Sequence, residues 1–229
     1  RLGVFGPLAV DDMKEMRPDF QGEVFSTGGL FLGDQNLRSR KSSVKGRFGT
    51  SWTAVYLLSP NAFYNFPDTY DEAKADLRAL AEAIDKEGGR LGVRLHPRMY
   101  DGESYRLVLD ELRKARAPMT VLDPLESMAG QLETAEVAFV RMWGGASIFA
   151  LYNDIPLIGW KPRPAYLPCN RMIDGLPLVA ESSADVRHHI QHLKSSRKQV
   201  ERILHEQRDL LARHIEDPYG DPYDKVLNL

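Results

Sequence analysis

Three short stretches of this chain combine residue types suited to holding an anion, phosphate above all. The first is Trp143-Gly144-Gly145-Ala146-Ser147, inside EVAFVRMWGGASIFALYNDIPLIGW, Glu136–Trp160. The stretch reads as a buried strand, a glycine pair, a short helix and a second buried strand. A chain that turns through two glycines into a helix gathers bare backbone N–H groups at the positive end of the helix dipole. Without Cβ atoms, Gly144 and Gly145 let a ligand come close to the main chain, and Ser147 adds a hydroxyl near the helix start. The competing reading is a tight turn whose small residues serve packing alone.

The second stretch is Arg94-Leu95-His96-Pro97-Arg98. Alternate strand residues face the same way, so Arg94 and His96 share a side, at the end of a strand expected to be central. An arginine buried there without a partner is costly, which calls for an anion from the protein or from a ligand. His96 can donate to a phosphate or exchange a proton with one. A structural His–carboxylate contact, with both arginines at the surface, is the competing reading. The third stretch, Lys161-Pro162-Arg163-Pro164-Ala165-Tyr166, is stiff, basic and aromatic, fit to clamp a diphosphate or stack on a base. Glu181, after the last strand, suits ribose hydroxyls as an acceptor.

Other chemistries find little to stand on. His188 and His192 have the i, i+4 spacing of metal ligands, but no third ligand is evident, so no metal is expected. The chain carries no nucleophile-elbow serine motif, no Walker lysine motif and no G-x-G-x-x-G fingerprint. Lys and Arg number 30 against 32 Asp and Glu, for a net charge of −2, which argues against nucleic acid held by bulk electrostatics. No apolar run approaches the roughly 18 residues that span a bilayer, and no secretory signal is visible. Cys169 is the single cysteine of 229 residues, so an internal disulfide is impossible and a reducing, cytoplasmic setting is the simplest reading.

The elements that must position these residues follow from periodicity. Short apolar runs predict strands over Leu2–Phe5, Gly22–Thr27, Thr53–Leu58, Leu91–Leu95, Met119–Leu122, Val137–Val140, Leu157–Trp160 and Leu176–Ala180. Helical spacing predicts helices over Tyr70–Glu87, Tyr105–Ala115, Leu125–Thr134, Ser147–Tyr152, from Ser183 or Asp185 to Leu193, and over Ser195–Ile215. From Thr53 onward strands and helices alternate. That predicts an α/β fold, a Rossmann-like parallel sheet with helices on both faces. Right-handed crossovers then put every strand-to-helix loop on one edge, where ligands bind such sheets.

The expected division is residues 1–50, an N-terminal segment, and residues 51–229, a ligand-binding domain with C-terminal helices. Within the first, Gly33–Thr50 is polar and basic and reads as a loop or linker. The chain opens on Arg-Leu-Gly-Val without Met, and a fragment of a longer protein is the expectation.

The HP step of RLHPR, the segment ETAEVAFVRMWGGASIFALYNDIPLIGW and the terminal helices together resemble the C-terminal, nucleotide-binding half of the GT-B superfamily. The likeness covers roughly Thr50–Ile215, and many bacterial surface- and capsular-polysaccharide glycosyltransferases carry a similar pattern. Non-hydrolysing UDP-sugar 2-epimerases share the layout, with Ser-Gly-Gly at the place of Trp143-Gly144-Gly145. The resemblance implies a transferase of hexosyl or ulosonic-acid residues with a nucleotide sugar as substrate, a glycan acceptor and no cofactor. Gly144, Gly145 and Ser147 would hold the diphosphate, His96 would act beside it, Arg94, Arg98 and Lys161 would offset its charge, and Glu181 would meet the ribose. It also implies a cytoplasmic location, extending to the inner face of the membrane, and an N-terminal acceptor domain of which residues 1–50 are a remnant. The last helix would pack toward that missing half, and the catalytic base would come from it, Asp34 being a poor substitute. One departure stands out. Epimerases and many transferases carry a carboxylate in the helix after the glycines, where this chain has Ile148 and Phe149. The rival readings are an epimerase of the same fold and a non-catalytic nucleotide- or protein-binding module.

Overall fold

The computed structural model of the chain describes residues 2–4, 10–11, 13–14, 17–26, 48–58, 70–96, 106, 110, 114, 117–123, 126–141, 144–162 and 171–215. Two short strands, β1 (Leu2–Val4) and β2 (Val24–Ser26), pair in parallel, Leu2 opposite Val24. The main sheet is built from β3 (Trp52–Leu58), β4 (Gly89–Leu95), β5 (Met119–Val121), β6 (Val137–Val140), β7 (Leu157–Trp160) and β8 (Val179–Ala180). Its order is β5-β4-β3-β6-β7-β8 and every pairing is parallel.

The helices are α1 (Tyr70–Lys86), α2 (Met128–Glu133), α3 (Gly145–Tyr152), α4 (Arg171–Asp174), α5 (Ser183–Ser195) and α6 (Arg197–His214). They cover both faces of the sheet. On one face Tyr56, Val93, Phe139 and Trp160 pack with Leu77, Leu80 and Ile84 of α1 and with Val186 and Ile190 of α5. On the other, Val55, Leu57, Ala138 and Val140 meet Leu132 of α2 and Ile148, Phe149 and Leu151 of α3. Strands sandwiched this way must be apolar on both sides, and β6 and β7 are buried at every position. Among the described residues no helix is long and apolar enough to cross a membrane.

The expected Rossmann-like parallel sheet is present, with local differences. The predicted strand over Leu176–Ala180 shrinks to Val179–Ala180, because the Leu176 N–H donates to the Ile173 carbonyl at 3.1 Å and so belongs to the turn leaving α4. That short helix was not anticipated. It packs on β7 at Gly159, where a Cβ would come within 2.8 Å of the Ile173 side chain. Helix α2 begins at Met128, capped by the Ser127 hydroxyl. Residues 106, 110 and 114 are helical, as predicted; the rest of Tyr105–Ala115 lies outside the described residues.

The last helix lays its apolar stripe inside this domain. Val200, Ile203 and Leu204 join the core on one face of the sheet, and Leu210 and Leu211 join the other. Between them the buried Gln207 donates to the Leu157 carbonyl at 2.8 Å, tying α6 to the start of β7.

Candidate functional site at the carboxyl edge of the sheet

In this strand order the chain runs outward from β3 to β4 and β5, and in the opposite direction from β6 to β7 and β8. The reversal lies between β3 and β6. Their following helices therefore lie on opposite faces, α1 with one core and α3 with the other, and a reversal of this kind is where open α/β sheets form their ligand crevice, at the carboxyl edge. His96, at the end of β4, and Gly144, after β6, stand on this same edge on either side of β3. Two strand spacings, about 10 Å, separate β4 from β6.

The start of α3 is built differently from those of α2, α5 and α6. Each of those three has a serine at the N-cap: Ser127 accepts from the Gly130 N–H, Ser182 from Asp185 and Ser196 from Gln199. The Ser182 cap is reciprocal. Its hydroxyl and the Glu181 N–H both donate to Asp185, and these bonds, the Ser182 hydroxyl foremost, hold the Asp185 carboxyl below its ordinary pKa. The N-cap of α3 is Gly144, in extended backbone with φ −174 and ψ 179, and no side chain caps the helix. Gly144 and Gly145 are exposed, and a Cβ added at either would meet nothing within 4 Å. Among the described residues, neither packing nor backbone conformation therefore demands glycine there. What the glycines provide is an approach to the Gly145 and Ala146 N–H groups, which lie ahead of the first intrahelical donor, the Ser147 N–H bonded to the Gly144 carbonyl at 3.0 Å.

The other predicted residues divide. His96 is exposed at the strand end and engaged within the protein. Ser147 is the third residue of α3 and only 1% exposed, also with a partner inside the protein, so its hydroxyl is not on the open surface. Arg94 turns to α2, where it donates to the Gln131 side-chain oxygen and, at 3.5 Å, to the Glu126 carbonyl. Gln131 in turn donates to the Asp123 carbonyl at 2.6 Å. Arg94 thus counts an amide and a carbonyl of the protein itself among its partners. Lys161 is bound to Asp174 on α4. Glu181 is exposed at the end of β8, two strand spacings from β6. Arg98 and Trp143 lie outside the described residues, as do Asp34 and residues 163–170.

Sequence reasoning missed one group. Arg141, the residue after β6, donates to Asp76 of α1 at 2.9 Å, with the side chains 15% and 8% exposed. Tyr56 of β3 lies buried in their field. Burial pushes its phenol well above the ordinary range; Arg141 opposes that shift and Asp76 adds to it. The available signal was a charged residue closing the apolar run VAFV, three positions before the glycine pair.

No protein-family model and no curated relative matches the chain. Solved structures do. A glycotransferase of kitacinnamycin aligns over 100% of this chain and 54% of its own, at TM-score 0.55 and 17% identity. Os79 from O. sativa, in complex with UDP and deoxynivalenol-3-glucoside, aligns over 99% and 53%, at TM-score 0.54 and 11% identity. Methanocaldococcus jannaschii UDP-GlcNAc 2-epimerase, in complex with UDP-GlcNAc and UDP, aligns over 96% and 58%, at TM-score 0.56 and 13% identity. The chain spans about half the length of these structures. What it shares with them is the fold: a Rossmann-like, all-parallel α/β sheet of the GT-B type, found in glycosyltransferases and in 2-epimerases.

Proposed function

We propose that the chain is the donor-binding part of a glycosyltransferase that takes a nucleotide-activated sugar and builds a bacterial surface polysaccharide in the cytoplasm or at the inner face of the membrane. One observation carries this reading: the uncapped, glycine-opened start of α3 at the β3–β6 reversal. The reaction is displacement at an anomeric carbon with the nucleotide as leaving group. The α3 N–H groups stabilise the charge that develops on the diphosphate, at about 3 kcal/mol for each well-placed donor. His96 lies beside the diphosphate or the sugar, Arg98 adds positive charge, and Glu181, about 10 Å along the edge from β6, accepts from the ribose. Residues 1–50 belong to an acceptor-side domain, which supplies the base that deprotonates the glycan hydroxyl.

A sugar 2-epimerase is the second reading, favoured by the fold shared with the M. jannaschii enzyme. Against it stands α3, whose sequence GASIFALY has no carboxylate and whose Ile148 and Phe149 are buried. Interconversion of a UDP-sugar without any acceptor separates the two.

Isothermal titration with UDP, GDP and CMP tests nucleotide binding and identifies the preferred base. Gly145→Asp places a carboxylate against the phosphate and is expected to abolish binding. Undiminished affinity in a folded Gly145→Asp protein contradicts the site.

A further inference from the structure

Of the cations that sequence reasoning brought to the crevice, the described ones are committed elsewhere: Arg94 to Gln131 and Lys161 to Asp174. Arg141 is placed differently. It follows β6 directly, at the carboxyl edge of the sheet, and reaches Asp76 of α1. Among the described residues its only acceptor is Asp76, reached through Nη1. A guanidinium has five N–H donors in a rigid fork, more than the one carboxylate oxygen of Asp76 takes up.

The wall that holds it is well anchored. Asp76 lies in the half of α1 that precedes Ala79, and the Ala79 carbonyl accepts from Ser183 at the start of α5 at 3.2 Å. Ala79 is nine residues into α1, so the helix rises about 13 Å past that contact on the carboxyl side.

We propose that Arg141 is the phosphate-facing cation of this site, held at the floor of the crevice by Asp76 while its remaining donors meet the diphosphate oxygens. The assignment rests on the donor-binding reading above and deepens it. Arg141 also stands only three positions before Gly144, the α3 N-cap.

The test compares each nucleotide with its own nucleoside, UDP with uridine, GDP with guanosine and CMP with cytidine, by calorimetry and ligand-observed NMR. Arg141→Met is expected to weaken nucleotide binding about 10- to 100-fold, the worth of charge-assisted hydrogen bonds, and to leave the nucleoside unchanged. Arg141→Lys recovers part of the loss. Because Arg141→Met leaves Asp76 buried without its cation, the double variant Asp76→Asn/Arg141→Gln provides a neutral pair that keeps the fold, and it should show the same selective loss. Equal loss for nucleotide and nucleoside, or no loss in a folded variant of a protein that binds nucleotide, overturns the role of Arg141 alone. Failure of the unaltered protein to bind any of the three nucleotides overturns the donor reading and this role with it.

Discussion

The indole of Trp52 lies so close over Gly89 that a Cβ added there would come within 2.4 Å of its ring. The same indole donates through Nε1 to the Glu87 carbonyl at 3.1 Å, at the end of α1. The first residue of β3 thus locks the turn that leads into β4. Between the two contacts sits Gly88, with φ +78, a left-handed conformation that ends the helix.

Gly89→Ala is therefore expected to destabilise the fold by about 1–3 kcal/mol, the cost of overpacking a filled site. Gly88→Ala should cost about 1 kcal/mol through backbone strain alone, since a Cβ there meets nothing within 4 Å. Urea denaturation of the two variants measures both. Equal stability of Gly89→Ala and the parent would show that Trp52 yields easily.

At the α3 turn the expectation is opposite. Gly144→Ala and Gly145→Ala put a methyl group into open space, and Gly144 has an extended backbone that any residue adopts. Stability should stay within about 0.5 kcal/mol of the parent, while nucleotide affinity falls as the methyl group crowds the N–H groups. A stability loss above about 1 kcal/mol would return these glycines to a packing role.

The alternation of apolar runs with helical stripes was legible because strands buried on both faces leave nowhere for polar residues. Val137–Val140 and Leu157–Trp160 were bounded correctly for that reason. The carboxyl-edge placement of His96 and Gly144 followed from parallel topology. Side-chain commitments were not legible. Nothing local to RLHPR says that Arg94 finds Gln131, 37 residues away, nor does local sequence pair Lys161 with Asp174. Asp76 and Arg141 are 65 residues apart and meet only once α1 has packed against β6. Ser147 was read as the helix start, and two further residues of helix at its N-terminus carried it inside.

His214, near the end of α6, is buried, and burial, aided by Arg213, pushes its pKa down to about 4. In the unfolded chain an imidazole titrates near 6.5. Between those values the unfolded state binds the extra proton, so stability falls as pH drops from about 6.5 toward 4. The loss can reach about 3 kcal/mol. His214→Gln should flatten this part of the stability–pH curve relative to the parent, read as the difference between denaturation midpoints at pH 7 and pH 4.5. Parallel curves would show that His214 charges freely in the folded state.

Asp154, just past α3, is the one non-glycine residue with positive φ among the described residues, at 55°. Arg208 of α6 grips both of its carboxylate oxygens at 2.7 Å, which ties the end of α3 to the last helix. The left-handed backbone costs an ordinary residue about 1–2 kcal/mol, and aspartate tolerates it better than most. The partly exposed ion pair offsets up to about 1 kcal/mol. Asp154→Ala loses the pair and keeps the strain, so it should destabilise by about 1–2 kcal/mol. Asp154→Gly loses the pair but relieves the strain, and should stay close to the parent. Arg208→Met removes the pair and keeps the aspartate in its left-handed backbone, and should fall between the two. Thermal denaturation of the three variants orders them, and Asp154→Gly being the least stable would show that the clamp on α6, rather than the backbone of Asp154, dominates this corner of the fold.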